Sequence, residues 1–308
     1  MTVTPPSGES PPACCHFDPR TTRRVGILLA PHKPHVIETV REIVSWFTAR
    51  GIEVLLRQDQ AAELGYAEQG RSQAQLVEAA DFLLALGGDG TLLHTARLGA
   101  PHGKPILGIN MGGFGFLAAL PHEGLFRSLE IVMAGQFLLQ RRMMLQADVL
   151  MQHARVARFF ALNDIVVAKG AISRLFRIIT EVSGEEVSDF PADGLIVATP
   201  TGSTGYSLSA GGPVVAPELR AFIITPICPH TLSARTLLVP ADRVITIRLP
   251  DLGSEEVHLT ADGQESMSLR SVEAVAIRDA PFSACLIRVA GDTFYARLKE
   301  KLSWGGPR

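Results

Sequence analysis

The chain has little cysteine and little net charge, and no long uninterrupted apolar run. Its 4 cysteines among 308 residues are Cys14, Cys15, Cys228 and Cys285, with no CxxC pair, so their spacing suggests neither a zinc site nor a disulfide scaffold. A formal net charge of -2 argues against a nucleic-acid binder that works by bulk phosphate neutralisation, which needs a basic surface. Local basic pockets remain compatible with that balance. The most apolar stretch, 107–120, is interrupted by Asn110 and several glycines and is too short to span a bilayer. The opening MTVTPPSGESPP has neither a basic n-region nor an apolar core, so it does not read as a signal peptide. A reducing cytoplasm is the expected location, with no membrane and no nucleic-acid partner.

What is present is a well-cored composition: 46% hydrophobic and 19% charged residues, the balance of a folded protein rather than a disordered one. Residues 1–21 are rich in Pro and Ser without periodicity and read as a disordered arm. The pattern then changes. An apolar run at 25–30 has the character of a strand buried on both faces;. Over 36–50, Val36, Val40, Ile43, Val44 and Phe47 recur at helical spacing, and Gly51 closes the helix;. Further strands are expected at 52–56, 82–86 and 105–109, and helices near 76–80 and 92–98. This alternation predicts an α/β domain with a doubly wound parallel sheet over 22–121. From 122 to 289 the apolar runs are short and separated by Gly, Pro, Asp and Ser, as at 161–168, 176–182, 195–198, 244–249 and 257–259. They predict an antiparallel, sandwich-like β domain. Residues 293–304 look helical, and the segment 290–308 is expected to pack back on the first domain.

The strongest local feature is Gly87-Gly88-Asp89-Gly90-Thr91, where a buried strand gives way to a helix. Ligands of open α/β sheets bind beyond the carboxyl ends of the strands. Glycines let a backbone approach an anion closely, and a helix N-terminus favours phosphate, so Gly87, Gly88, Gly90 and Thr91 are candidate phosphate contacts. Asp89 is discordant, because a carboxylate repels phosphate. It is tolerated there if it accepts a proton from an attacking hydroxyl or engages a bound Mg²⁺. A plain turn with Asp at the helix start gives the same sequence. The other features are Leu162-Asn163-Asp164, the segment from Asp193 to Pro213 reading DGLIVATPTGSTGYSLSAGGP, and Asp262-Gly263-Gln264. Asn beside an acid suits the vicinal hydroxyls of a ribose, and also suits a polar strand start. The glycine- and hydroxyl-rich loop reads as a mobile segment able to hold a polar ligand. Asp-Gly between strands is first a hairpin signal.

The Gly-Gly-Asp-Gly-Thr element resembles NAD kinases and their relatives, the diacylglycerol and sphingosine lipid kinases, with phosphofructokinases more distant. The 193–213 segment resembles the NAD kinase signature in its detailed order. Asn110 to Leu117, Pro229 to Arg235 and the Asp-Gly-Gln turn are similar to that family in sequence order as well. The family usually has Asn-Glu where this chain has Asn163-Asp164, so the acid here is one methylene shorter.

The resemblance implies NAD bound between the domains, with its ribose hydroxyls on Asn163 and Asp164. Asp193, Thr204, Gly205, Tyr206, Ser207, Leu208 and Ser209 would grip the two ends of the dinucleotide, with Gln264 and Gly90 nearby and Phe116 against the adenine. Arg174 matches a ligand contact of the family, although an Arg on a strand is more often a solvated face. His230 and Arg235 match residues that serve either a subunit contact or the ligand. The implied reaction is phosphoryl transfer from ATP or polyphosphate to the 2′-hydroxyl of the adenosine ribose of NAD. Asp89 would be the catalytic residue and Mg²⁺ would arrive with the nucleotide, as no protein cage for a metal is visible. A homodimer or homotetramer is implied. The rival readings are a lipid kinase of the diacylglycerol or sphingosine type, and a dinucleotide sensor without catalysis.

Overall fold

A computed structural model of the chain describes residues 16–303 apart from 31–34, 113–114, 118–119, 122, 171–175, 251–255, 271, 290 and 292. The first half follows its alternating pattern. Arg24–Leu29 (β1), Val36–Thr48 (α1), Glu53–Arg57 (β2), Gln58–Leu64 (α2), Gly70–Arg71 (β3), Gln73–Ala79 (α3), Phe82–Gly87 (β4), Asp89–Gly99 (α4) and Pro105–Asn110 (β5) form a parallel sheet ordered β3-β2-β1-β4-β5. α1 buries Val36, Val40, Ile43, Val44 and Phe47 on one face;. It ends in a Schellman turn: Ile52 N donates to Phe47 O and Gly51 N to Thr48 O, both at 3.0 Å, with Gly51 at φ 72;. Every residue of β4 is buried, which is why its sequence runs apolar without alternation. α2 and β3 were not legible: α2 follows β2 without punctuation, and β3 is only 2 residues long.

Of the predicted disordered arm 1–21, residues 1–15 lie outside the described residues, and its last part is ordered. Phe17 is buried, with its ring 4.8 Å from that of Phe82 and 5.1 Å from that of Phe137. Asp18 holds the turn that follows through its carbonyl, to Thr21 N at 3.1 Å, and its carboxylate, to Arg20 N at 3.0 Å.

The second half continues with Leu120–Pro121 (β6), Leu125–Met133 (α5), Leu138–Met151 (β7), Ala154–Ala161 (β8), Asp164–Lys169 (β9), Phe176–Val182 (β10), Glu185–Ala192 (β11) and Gly194–Ala198 (β12). Then come Tyr206–Ser209 (α6), Ala221–Ile227 (β13), Leu237–Pro240 (β14), Ile245–Arg248 (β15), Val257–Ala261 (β16), Glu265–Ser268 (β17), Ala274–Arg288 (β18) and Phe294–Leu302 (α7). An antiparallel sheet ordered β14-β13-β12-β9-β16-β17 faces β7, β8, β10, β15 and β18. One apolar core lies between them, with Val167, Val197, Phe222 and Leu259 from the first sheet meeting Leu145, Ile178, Ile247 and Ile277 from the second;.

Three features depart from the sequence reading. The run 161–168 is not one strand but two, broken at Leu162-Asn163. β18 is 15 residues long and joins the halves: it pairs antiparallel with β7 and then parallel with β5, through Cys285↔Pro105 and Leu286↔Ile106. The two halves therefore share a hydrogen-bonded sheet of 12 strands. Cys285 is disulfide-bonded, a link that the cysteine spacing did not signal, while Cys228 is free.

The C-terminal helix α7 is capped by Thr293 Oγ1, which accepts from Ala296 N at 3.2 Å. It returns to the first half as expected, where the Arg297 guanidinium donates to the Phe116 carbonyl. Among the described residues no helix is long and apolar enough to cross a membrane, and no group of three His, Cys, Asp or Glu side chains is placed to hold a metal.

Candidate active site at the switch point of the parallel sheet

In the order β3-β2-β1-β4-β5 the chain reverses direction between β1 and β4, and ligands bind outside the carboxyl ends of strands at such a switch. β4 ends there and α4 begins. Gly87 is buried, and a Cβ on it would lie 2.1 Å from Thr91 Oγ1, so this glycine makes room for Thr91 rather than for a ligand. Gly88 is different: it precedes α4 in extended conformation, and the space over its Cα is open. Of the predicted phosphate contacts, Gly88, Gly90 and Thr91 thus belong to the helix start, and Gly87 packs beneath them.

Asp89 is the first residue of α4, where the helix dipole favours a carboxylate. Its side chain turns toward the loop after β5. Oδ2 accepts from Phe116 N at 2.7 Å and Oδ1 from Leu117 N at 3.0 Å. A Cβ at Gly115 would sit 2.5 Å from Asp89 Oδ1, which is why the loop has glycine at that point. The apparent conflict between acid and phosphate cradle is settled by this turn away from the helix N-terminus.

The second part of the site is a β8–β9 turn pinned from across the fold. The Asp262 carboxylate accepts from Leu162 N at 3.1 Å, Asn163 N at 2.7 Å and Asp164 N at 3.3 Å. Asp262 N in turn donates to Asp164 O at 2.9 Å. These bonds draw the amides of residues 162–164 out of any ladder, which explains the break in the apolar run. The Asn163 side chain has a buried Oδ1 without a hydrogen-bond partner among the described residues, a costly arrangement unless something supplies a donor. Beside it Asp164 is buried, and burial first, then the nearby charge of Asp262, pushes its carboxyl up to about 7;. The expected pair therefore stands together, with Asn163 Oδ1 unsatisfied.

Gln264 joins this turn to the start of α4: its Nε2 donates to Gly90 O at 2.7 Å. The glycine- and hydroxyl-rich loop after β12 packs under Asn163. Composition suggested mobility, yet Thr201–Thr204 forms a 3₁₀ turn that leads into α6. Thr199 Oγ1 donates to Leu162 O at 2.6 Å and accepts from Gly202 N at 3.1 Å. Ser203 and Ser207 are buried, the first bonded to Val215 and the second to Thr225 Oγ1 at 2.9 Å. Both hydroxyls are spent inside the protein, so Ser207 supports the loop rather than facing outward. Tyr206 and Ser209 are exposed, Leu208 is half-buried, and Gly205 lies against the Asn163 and Asp164 side chains. Phe116 and Thr204 line one small cavity with Thr201, Phe294 and Arg297.

Other expected residues stand apart. Asp193 is at the opposite end of β12 from the Thr199–Gly205 loop, roughly 20 Å away at about 3.3 Å per strand residue;. It pairs there with Lys169 Nζ at 2.8 Å. His230 and Arg235 are exposed on the loop between β13 and β14. Arg174 lies outside the described residues. Sequence reasoning missed Arg97, a buried cation on α4 bonded to Asp262, Gln264 and Glu265. It follows Gly90 by seven residues, so it lies two turns along the same face. A charge inside the apolar stretch Leu92 to Ala100 was the signal available for it.

Two family profiles match the chain: the ATP-NAD kinase N-terminal domain over residues 25–137 and the ATP-NAD kinase C-terminal domain over 162–289. It is 45% identical over 286 residues to the NAD kinase of Moorella thermoacetica, covering 93% of this chain and 91% of that one. It is 41% identical over 281 residues to the NAD kinase of Caldanaerobacter subterraneus, covering 91% and 99%. Among solved structures, yeast NADH kinase complexed with NADH superposes with a TM-score of 0.86 at 25% identity, over 93% of this chain and 89% of that one. An NAD kinase from Archaeoglobus fulgidus in complex with ATP superposes with a TM-score of 0.71 at 27% identity, over 92% and 100%. With both halves matched, and with the glycine cradle, the acid at the helix start and the buried Asn-Asp turn joined in one place, the chain belongs to the NAD kinase family.

Proposed function

We propose that the chain transfers the γ-phosphoryl group of MgATP to the 2′-hydroxyl of the adenosine ribose of NAD. The observation that carries this reading is the pair at the β8–β9 turn: a buried, partnerless Asn163 Oδ1 beside the buried Asp164 carboxyl. Vicinal ribose hydroxyls supply the donor that Asn163 Oδ1 lacks and suit the neighbouring carboxyl. Asp89 and the open backbone at Gly88 are tied to that turn through Gly90 and Gln264. In this reading the amides at the start of α4 receive the triphosphate, Asn163 and Asp164 hold the ribose, and Asp89 orients the 2′-hydroxyl and takes its proton. The Mg²⁺ enters as part of the nucleotide and neutralises the transferring phosphates. Positioning supplies most of the rate, because the transition state is loose.

Polyphosphate as an alternative donor is a separate question of the phosphate side, and Arg174, Asp193, Tyr206, Leu208 and Ser209 are proposed contacts for the rest of the dinucleotide. We place the enzyme in the cytoplasm, where both substrates are at hand. A homo-oligomer is supported by exposed Val187 and Leu237, which line a groove of about 530 Å³;. The lipid-kinase and sensor readings have no observation in their favour.

The direct test is to incubate the protein with ATP, Mg²⁺ and NAD and follow NADP with an NADP-specific dehydrogenase. Folded protein that forms no NADP from any of these donors would overturn the proposal.

Asp164 gives the reaction a pH dependence. Ribose hydroxyls donate more strongly to the carboxylate than to the protonated acid, so NAD binding favours its ionised form. With the carboxyl at about 7, affinity for NAD is expected to rise by up to about tenfold per pH unit below 7 and to level off above it. Stability moves the other way. The folded value lies above the unfolded one, so stability present below about pH 4 is lost as pH rises through 7. Asp164→Asn is therefore expected to raise the melting temperature of the ligand-free protein at pH 8 more than at pH 5, and to flatten the pH dependence of NAD binding. Calorimetry at the two pH values reads both effects.

A further inference from the structure

We propose that Arg97 and Asp262 form a positioning pair that keeps the acceptor-binding turn in register with the phosphate-binding helix; this rests on the functional reading above. Neither residue is itself assigned to substrate; each acts through residues that are, Asp262 through the amides of Asn163 and Asp164 and Arg97 through Gln264. The Arg97 side chain is only 5% exposed and that of Asp262 is fully buried. Arg97 Nη1 lies 2.9 Å from Asp262 Oδ2, Nη2 donates to Gln264 Oε1 at 2.7 Å, and Nε lies 3.3 Å from Glu265 Oε1. One guanidinium on α4 thus holds the whole β16–β17 turn. Asp262 then passes the constraint on through its three bonds to the amides of Leu162, Asn163 and Asp164. Gln264 closes the circuit to Gly90 O. The fork of Arg allows three partners at fixed angles, whereas Lys offers a single point charge.

A buried ion pair is weak evidence of stability by itself, because an apolar pair of similar volume often serves as well; its best-attested use is to specify register. Here the register in question is that of Asn163 and Asp164 relative to Asp89 and Gly90. It has an electrostatic consequence as well. The charged group that acts on Asp164 is Asp262 on the β16–β17 turn, which is bonded in turn to Arg97 on α4. Removing Arg97 leaves the Asp262 charge uncompensated beside Asp164 and disfavours ionisation of Asp164.

The test compares full-length wild type with Arg97→Met, Arg97→Lys and Asp262→Asn by steady-state kinetics across pH 5.5–8.5, with melting curves and NAD-induced stabilisation in parallel. Arg97→Met is expected to raise KM for NAD by at least about tenfold, the scale on which misplacement of a binding group acts. It should also move the acidic limb of the NAD affinity profile to higher pH. Asp262→Asn removes the charge that faces Asp164 and should move that limb to lower pH. Arg97→Lys retains the charge but not the fork, so KM for NAD should rise while the limb stays in place. If Arg97→Met does not fold, Arg97→Lys and Asp262→Asn still give distinct expectations, a raised KM with the limb in place for the first and a limb moved to lower pH for the second. Variants that lose thermal stability but keep the wild-type KM and limb would overturn the proposal and leave a structural pair only. Wild type without NADP formation would instead sink the functional reading. In that case loss of NAD-induced stabilisation in Arg97→Met still supports the pair, and its retention overturns it.

Discussion

Asp89→Asn is expected to keep NAD binding and to lower turnover by at least about 100-fold, the lower end for loss of a general base. The substitution is isosteric, so the fold around it is expected to be kept. Its cost to the site follows from the two bonds that the carboxylate makes, to Phe116 N at 2.7 Å and Leu117 N at 3.0 Å. An Asn side chain offers one acceptor oxygen, so one of the two amides loses its partner, worth about 1–3 kcal/mol of local order. That loss alone weakens the loop without abolishing binding at the β8–β9 turn. The chemistry fares worse, because an amide cannot accept the hydroxyl proton as the phosphoryl group transfers. Single-turnover kinetics with NAD in excess, set beside NAD titrations by calorimetry, separate the two effects. Turnover within a few-fold of wild type would remove Asp89 from the catalytic role.

A second large effect is expected from Gly202→Ala, at a residue that has no part in the chemistry. A Cβ there would lie 2.2 Å from Asn163 O, 2.6 Å from its carbonyl carbon and 2.7 Å from its Cα. All three are backbone atoms and neither side has room to retreat. Asn163 is pinned by Asp262 and its carbonyl by Thr199 N at 2.8 Å, while Gly202 N is held on Thr199 Oγ1. Overpacking against backbone of this kind costs at least about 3 kcal/mol, which lowers the melting temperature by roughly 6 °C or more in a protein of this size. Any folded fraction should show a raised KM for NAD, because Asn163 is the group displaced. Gly211→Ala is the control: Gly211 has φ 90 but open space around it, so only a backbone strain of about 1–2 kcal/mol applies. Equal melting temperatures in the two variants would show that the contact at Gly202 is not as tight as the structure has it.

The two halves of the chain differ in how openly the sequence announces them. In the first half, the five apolar positions of α1 and the continuous run of β4 are local signals, and Gly51 ends α1 at the residue where the pattern stops. β3 left no signal because two residues cannot show an alternation. In the second half the strand at 176–182 was legible to the residue, whereas the run 161–168 was misjudged. The break at Asn163 depends on Asp262, 99 residues further on, and no window along the chain contains both.

By itself the sequence determined the alternating α/β half, the β-rich half, the glycine cradle with its acid, and the family to which the chain belongs. These rest on periodicity, on glycine where nothing larger fits, and on residue order within short segments, all of which are local properties. The tertiary structure alone decided the rest. It turned Asp89 away from the helix start, left Asn163 Oδ1 buried without a partner, raised the Asp164 carboxyl to about 7 and set Asp193 at the far end of β12. It also placed Arg97 on Asp262 across a separation of 165 residues. Each of these depends on burial and on distances between segments remote in sequence, and those exist only once the sheets have closed around a common core.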